Sequence, residues 1–164
     1  MTWKQRTGEN FMLRILVAFM MILSFSGVTR AQDDPPAPCG PSGDLPSNLS
    51  GNVASDSSCF EIRMYTAEPE KDGQGGIDNL HRRFREGEVK IFEKHGAKFI
   101  GAWQRLDNPN TLVWMMAYRN RAHRDEVFGN FLADPEWKEL LAKYPVPISI
   151  EAFFLSASDY SALK

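Results

Sequence analysis

The stretch Phe60-Glu-Ile-Arg-Met-Tyr-Thr66 alternates apolar and polar side chains. A period of two is typical of a β-strand that turns one face towards a hydrophobic core. After a turn-rich break at residues 68–76 the period changes, because apolar side chains recur at helical spacing from Ile77 to Ile91. Gly96 ends this segment as a C-cap glycine does. The sequence therefore predicts a strand, a loop and a helix in succession.

The rest of the chain repeats these two periods. Two strands follow, at residues 97–106 and 112–118. Two helical segments begin at Asn120 and at Asp134-Pro135, and a last strand occupies residues 148–155. The turn at residues 107–110 makes the first two strands a hairpin. The order β-α-β-β-α-β predicts a ferredoxin-like α+β fold with a four-stranded antiparallel sheet and its helices on one face.

The other face of such a sheet has no helix over it. In this sequence it would expose a large apolar patch containing Phe, Trp and Met side chains, which calls for a partner. The simplest partner is a second copy packed sheet to sheet around a two-fold axis. We expect a homodimer that closes into a dimeric α+β barrel with a chamber between the sheets.

The first 31 residues are typical of a secretory signal peptide. Positive charges precede the apolar run Ile15–Leu23, and small or polar residues follow it up to Ala31. The run is shorter than the roughly 20 residues that span a bilayer. We expect a periplasmic or secreted protein without stable membrane insertion after cleavage. An uncleaved interfacial anchor and a translation start at Met12 stay open.

Residues 32–58 are rich in Pro, Gly, Ser and Asp and offer almost no apolar surface. Such a composition predicts a flexible, disordered linker, followed by the folded domain at 59–157 and a tail at 158–164. The chain has two cysteines, Cys39 and Cys59. In an oxidising compartment an isolated pair indicates a disulfide, although two free thiols stay possible.

The mature chain is mildly acidic. The first 31 residues hold Lys4, Arg6, Arg14 and Arg30 against Glu9 alone, and the whole chain has 19 basic and 21 acidic residues. Cleavage therefore leaves 15 basic and 20 acidic residues and a formal charge of -5. Nucleic-acid binding depends on clustered Lys and Arg, so this balance argues against a nucleic-acid partner.

Strand parity suggests a candidate site. Phe60, Ile62 and Met64 are purely apolar and should face the helices. The alternate set would face the chamber, joined by residues of the second and third strands: Glu61, Arg63, Tyr65, Trp103, Arg105, Trp114 and Tyr118. An acid–base pair, aromatic walls and hydroxyl groups suit a pocket for a small apolar or aromatic ligand. The alternative is that Glu61 and Arg63 form an ion pair that holds the dimer together.

Other polar residues have mainly structural interpretations. His95 precedes Gly96 at a helix end, where a capping role competes with catalysis. The cluster of Arg82, Arg83, Arg85, Glu86 and Glu88 indicates a solvated helix face. His81 and His123 have no Asp or Cys at ligand spacing, so we expect no metal site. The sequence shows no phosphate loop or nucleophile motif, and we expect no cofactor.

Several groups of residues in this region resemble recurring motifs of the NIPSNAP family. They are Glu61-Ile-Arg63-Met-Tyr65, Glu93-Lys-His95-Gly96 with Gly101-Ala-Trp103, Trp114 with Tyr118, and Asp134-Pro-Glu-Trp137. The resemblance covers about residues 59–157 and implies the dimeric α+β barrel superfamily. It implies no reaction, since the family has no agreed activity. Its best-known members are mitochondrial proteins linked to protein–protein interactions, and an exported chain departs from them.

Two functional hypotheses follow. The first is a dimeric module that binds a small ligand or another exported protein. The second is a cofactor-independent oxygenase or isomerase acting on a small aromatic or apolar substrate. Its base would be Glu61 or His95, and Tyr65 or Arg63 would stabilise an enolate-like charge. The sequence favours the first, because no residue pair has a clear catalytic spacing.

Overall fold

The computed structural model describes residues 36–164. The predicted signal peptide at residues 1–31 and the start of the predicted linker lie outside the described residues. Within 36–164 we find no helix with the length and apolar character needed to cross a membrane.

The elements follow the predicted order. The helices are α1 (Ser47–Ser50), α2 (Ile77–Arg83), α3 (Val89–Lys94), α4 (Arg121–Ala133) and α5 (Pro135–Lys143). The strands are β1 (Cys59–Ala67), β2 (Lys98–Gln104), β3 (Thr111–Tyr118) and β4 (Ile148–Ser156). A π-helical turn, Phe84–Glu88, joins α2 to α3, and a short 3-10 helix, Ser42–Asp44, precedes α1.

The strands form one antiparallel sheet in the order β2-β3-β1-β4. This is the ferredoxin-like arrangement, and the predicted α+β fold is confirmed. In the register, Arg63 of β1 lies opposite Trp114 of β3 and opposite Ala152 of β4. The centre of β1 is therefore flanked on both sides, and its side chains occupy the middle of each face of the sheet.

Side chains at the helix ends explain where the helices begin and end. The Asn120 side chain accepts a hydrogen bond from the backbone N–H of His123 and caps α4. Asp134 does the same for α5 through the N–H of Glu136, with Pro135 at the permitted first position. Gly96, with φ of 102°, adopts the left-handed conformation that ends α3.

The inward face of β1 is the opposite of the predicted one. Glu61 is 1% exposed, Arg63 9% and Tyr65 5%, and all three lie beneath the helices. Ile62 and Met64 are half-buried on the open face instead. Charged side chains can be buried when partners neutralise them, and here Glu61 is paired with Arg63 of the same strand and with Arg124 of α4. The assumption that the purely apolar set marks the core was wrong.

The open face of the sheet is consequently more apolar than predicted. Beyond Ile62 and Met64 it carries Trp103 and Phe153, which are 51% and 45% exposed. Its opposite end is covered by the chain itself, because Phe60 packs with Ala117 of β3 and with Ala157 beyond β4. The described tail therefore covers one end of this face and leaves the middle open.

The described part of the predicted linker is ordered, so the prediction of a flexible tether does not hold from Cys39 to Ser58. Cys39 and Cys59 form a disulfide, as predicted, and both are buried. Gly40 donates its N–H to the hydroxyl of Ser156 at the end of β4. Residues 39–58 therefore form an arm that the disulfide and backbone hydrogen bonds hold against the domain. Composition alone reveals neither kind of bond.

Replacing both cysteines by alanine should release the arm from the sheet. The disulfide closes a loop with a sequence separation of 20, and a loop of that size contributes on the order of 3 kcal/mol to the free energy of unfolding. We expect that loss in urea unfolding. We also expect faster hydrogen exchange at the backbone amide of Ser42, which donates a hydrogen bond to the carbonyl oxygen of Ala54. An unchanged exchange rate at Ser42, with the amides of β1 still protected, would show that the arm stays ordered without the disulfide.

Candidate functional site

The helix-covered face of the sheet collects five of the seven predicted ligand-binding residues: Glu61, Arg63, Tyr65, Trp114 and Tyr118. The other two lie elsewhere. Trp103 is half-exposed on the open face, and Arg105 is an exposed residue beyond β2 that pairs with Asp107. The five residues therefore surround the interior of one chain and do not line a chamber between two sheets.

Glu61 is the centre of this cluster. One carboxylate oxygen, Oε1, accepts hydrogen bonds from Arg63 Nη1 at 2.6 Å and from Arg124 Nη2 at 2.8 Å. The other, Oε2, accepts from Arg124 Nε at 2.8 Å. The forked contact with Arg124 is the strong bidentate geometry of arginine and carboxylate. The Glu61 carboxylate thus ties α4 to β1.

Arg124 was missing from the predicted site, although its position carries a signal. It precedes Val127 by three residues and Phe131 by seven, which places it on the face that α4 buries. An arginine on a buried stripe requires a buried acceptor. Glu61, 63 residues earlier, is that acceptor.

Aromatic rings enclose the guanidinium of Arg63. Its Cζ lies 5.3 Å from the ring centre of Tyr65, 5.7 Å from that of Trp114 and 4.9 Å from that of Phe128. Its Nε donates a hydrogen bond to the Tyr65 hydroxyl at 3.0 Å. Cation–π contacts strengthen when the cation is desolvated. Burial also raises the pKa of the Tyr65 hydroxyl, which stays protonated.

A second buried ion pair lies in the π-helical turn. Arg83 Nε donates to Glu88 Oε2 at 2.9 Å, and both side chains are almost fully buried. The predicted solvated face is therefore wrong for these two residues and holds for the exposed Arg82, Arg85 and Glu86. The spacing carried a hint, because Glu88 lies four residues after the buried Phe84. Burial raises the pKa of Glu88 to about 7, against the opposing effect of Arg83.

Two buried polar atoms of the cluster have no hydrogen-bond partner among the described residues. They are Trp114 Nε1 and the Tyr118 hydroxyl. Burial raises the pKa of Tyr118, and the negative charge of Glu61 adds to that effect. Tyr118 is therefore a neutral group that can donate, like the indole of Trp114.

A groove of ≈ 550 Å³ lies on the same face, between the helices and the edge strand β2. Its apolar lining comes from both the helices and the sheet: Phe84, Val89, Phe99, Ala102 and Leu112. Its polar lining comes from the helices alone: His81, Arg85, Lys90 and Glu93. The ring of Phe84 also contacts Tyr65 and Trp114, with centroid distances of 6.2 and 5.5 Å. Phe84 thus separates the groove from the Glu61 cluster.

A depression of ≈ 660 Å³ also occurs at residues 68–75. It is lined by that loop and by Pro147, with no side chain from the sheet. The volume alone does not make it a site, because ligand pockets combine apolar walls with a few convergent polar groups.

The histidines have structural surroundings. His95 Nε2 lies 2.7 Å from Asp134 Oδ2, so it joins the end of α3 to the capping residue of α5. Hydrogen bonds from Lys94 and His95 lower the pKa of Asp134 to about 2. His81 contacts Gln104 at the rim of the groove. Within residues 36–164 no group of three or more His, Cys, Asp or Glu side chains is arranged to hold a metal ion.

Known proteins resemble this chain in sequence pattern and in fold. The family model for NIPSNAP matches residues 60–162, and no curated protein resembles the chain closely enough to count as a match. A NIPSNAP family protein of unknown function from Agrobacterium tumefaciens has 21% identity and a TM-score of 0.58, over 69% of this chain and 99% of that one.

Two further solved structures resemble the chain to different degrees. An uncharacterised NIPSNAP domain protein from Burkholderia xenovorans has 21% identity and a TM-score of 0.53, over 63% of this chain and 97% of that one. SnoaB, a cofactor-independent oxygenase from Streptomyces nogalater, is more distant, at 15% identity and a TM-score of 0.41 over 62% and 93% of the two chains. At these identities the likeness concerns the fold alone.

The buried Glu88 should make stability depend on pH. Its folded-state pKa, about 7, lies above the ordinary value of 4.5, so the folded protein binds this proton more tightly than the unfolded chain. The free energy of unfolding should fall as pH rises from 4.5 to 7, by up to about 3 kcal/mol. Urea unfolding at pH 5 and at pH 8 measures this dependence. In the Glu88→Gln protein, the fall in the free energy of unfolding between the two pH values should be smaller by this amount.

The matched control is Glu139→Gln, because Glu139 is an exposed glutamate on α5 and its replacement changes the charge equally. Its slope should equal that of the unaltered protein. If the Glu88→Gln protein showed the same pH dependence of the free energy of unfolding as the unaltered protein, Glu88 would have the same pKa in the folded and unfolded states, and the prediction would be wrong.

Proposed function

This chain belongs to the NIPSNAP family, and we propose that it is an exported, homodimeric module that binds a small apolar or aromatic ligand. The observation that carries this proposal is the groove between β2 and the helices. Its volume of ≈ 550 Å³ lies within the range of small-molecule sites.

The lining of the groove suits such a ligand. Its floor is formed by Phe99 and Ala102 of β2 and by Leu112 of β3, while Phe84 and Val89 form the helical wall. Polar side chains are confined to the helical rim, where they can orient a ligand without filling the space. The π-helical turn supports the assignment, since such turns occur frequently at functional sites.

The homodimer is supported by the open face of the sheet. Ile62, Met64, Trp103 and Phe153 form an apolar surface in the middle of this face, and the exposed Glu151 of β4 lies at its edge, opposite Met64. A two-fold axis lets the same surface serve both copies. The site then belongs to each protomer separately, because the groove lies on the opposite side of the sheet.

Export is supported by two independent features of the sequence. The charged start and the apolar run at residues 15–23 fit a secretory signal. The Cys39–Cys59 disulfide fits an oxidising compartment such as the periplasm or the extracellular space.

The alternative, a cofactor-independent oxygenase or isomerase, finds no support in the positions of its proposed bases. Glu61 is buried beneath the helices, its carboxylate accepts three hydrogen bonds from guanidinium groups, and it does not line the groove, whereas a base must lie within hydrogen-bond reach of the substrate. His95 contacts Asp134 at a helix junction and does not line the groove. We therefore propose a binding protein and not an enzyme of this class.

Filling the groove should abolish ligand binding and leave the dimer intact. Ala102 is exposed at the floor of the groove, so Ala102→Trp adds an indole there without entering the core. In native mass spectrometry of mature protein recovered from its host, we expect a dimer that carries a small molecule. The Ala102→Trp protein should give a dimer without it. The variant should also bind the neutral probe N-phenyl-1-naphthylamine at least about tenfold more weakly.

The control is Leu106→Trp, which adds an indole at a residue that is 91% exposed and outside the groove. Its probe affinity should match that of the unaltered protein. Equal affinity in the Ala102→Trp protein would place the ligand elsewhere and overturn the assignment of the groove.

A charge on the open face should separate the two copies. Phe153→Asp places a carboxylate on the apolar surface beside Ile62, where a dimer would have to desolvate it twice. We expect sedimentation to show a monomer that still binds N-phenyl-1-naphthylamine. Tyr160→Asp, at a residue that is 87% exposed in the tail, should remain dimeric. If the Phe153→Asp protein remained a dimer, the two copies would not pair through the open faces of their sheets.

A further inference from the structure

The cluster around Glu61 contains more positive charge and more hydrogen-bond donors than its single carboxylate can satisfy. Arg63 and Arg124 share Glu61, and Arg124 and Arg121 share Asp125, so three guanidinium groups face two carboxylates and one positive charge is left over. Arg124 also contacts the exposed Asp125 at 3.2 Å, while Arg63 Nη2 makes no hydrogen bond within residues 36–164. A mostly buried guanidinium with an unused nitrogen is a suitable receptor for a planar anion.

Two further donors flank this charge. Trp114 lies directly opposite Arg63 in the sheet, and Tyr118 is two residues from Met116, the residue opposite Glu61. Their polar atoms are buried and have no partner among the described residues. Buried donors are almost always satisfied in native proteins. An ordered water or a bound ligand would supply the acceptor that both atoms lack.

An apolar surface leads to the same place. On the helix side of β4, Ala152 lies opposite Arg63 and Ile150 lies opposite Tyr65. Both are exposed, Ile150 at 49%, so the helical layer stops short of this edge of the sheet. Phe154 continues the surface towards α4, with its ring centre 5.3 Å from Arg124 Cζ.

We propose that this cluster is a second binding site, which takes a small carboxylate with an apolar body. The carboxylate accepts hydrogen bonds from Arg63 and the flanking donors, and the body lies on Ala152 and Ile150. The apolar surface beside the charge favours an organic carboxylate over inorganic phosphate. None of these residues lines the groove, so the site does not rest on the function proposed above.

Isothermal titration of the mature protein with benzoate, acetate and benzyl alcohol tests the proposal. Benzoate has both the charge and the apolar body, whereas each of the other two lacks one. We expect benzoate to bind at least about tenfold more tightly than benzyl alcohol and acetate. Equal binding of benzyl alcohol would overturn the proposal. So would no binding of benzoate up to about 10 mM, in which case water satisfies the donors.

Variants separate recognition from folding. Arg124→Gln should weaken benzoate at least about tenfold, and Arg119→Gln, an equal loss of charge at an exposed residue, should not. Since loss of Arg124 could unfold the protein, Tyr118→Phe provides a second test. It removes only an unpartnered hydroxyl, so the melting temperature should not fall while benzoate affinity drops. Unchanged benzoate affinity in the Tyr118→Phe protein would overturn the role of that hydroxyl in the site.

The groove variant distinguishes the two sites. Ala102→Trp should leave benzoate binding unchanged, while Tyr118→Phe should leave N-phenyl-1-naphthylamine binding unchanged. If Ala102→Trp abolished benzoate binding, benzoate would occupy the groove, and the second site would be refuted without harm to the first.

Discussion

Burial of the Glu61 carboxylate is the constraint on which the rest of this structure depends. A buried carboxylate without partners costs several kcal/mol, and two guanidinium groups remove that cost here. One of them comes from the same strand, and the other comes from α4. The pairing therefore decides which side of β1 faces inward and holds the second helical unit against the sheet.

This choice of face divides the sheet into two surfaces with different chemistry. The inner surface contains every charged or hydroxylated member of the cluster, together with the groove. The outer surface is left with apolar side chains such as Met64 and Phe153. The chain itself covers only one end of that surface, near Phe60, through residues that follow β4. The proposed ligand sites and the proposed dimer interface therefore lie on opposite sides of one sheet.

Much of the architecture could be predicted from the sequence, because periodicity and turn residues are local. The strand of period two, the helix that ends at Gly96 and the caps at Asn120 and Asp134 all lie where the patterns indicate. The family resemblance agreed with that order. Neither source of information, however, says which face of a strand is turned inward when both faces can be buried.

The site could be predicted only in part, because its contacts join residues far apart in the chain. Five of its residues were found by type, and they were assigned to the wrong face. Arg124 and Glu88 could have been found from their helical spacing to buried apolar residues. The groove could not, since it depends on a π-helical turn and on the irregularity in β2 between Phe99 and Gly101. The order of the arm depends on a disulfide and on backbone hydrogen bonds, which composition does not show.

Two tryptophans on neighbouring strands offer the most direct measurement of the central claim. Trp114 is fully buried beneath the helices, and Trp103 is half-exposed on the open face. Hydroxyl-radical footprinting over a range of protein concentrations reports the solvent access of both indoles. We expect Trp114 to stay unreactive throughout, and Trp103 to react in dilute protein and become protected as the concentration rises. Concentration-dependent oxidation of Trp114, with Trp103 always protected, would contradict the account.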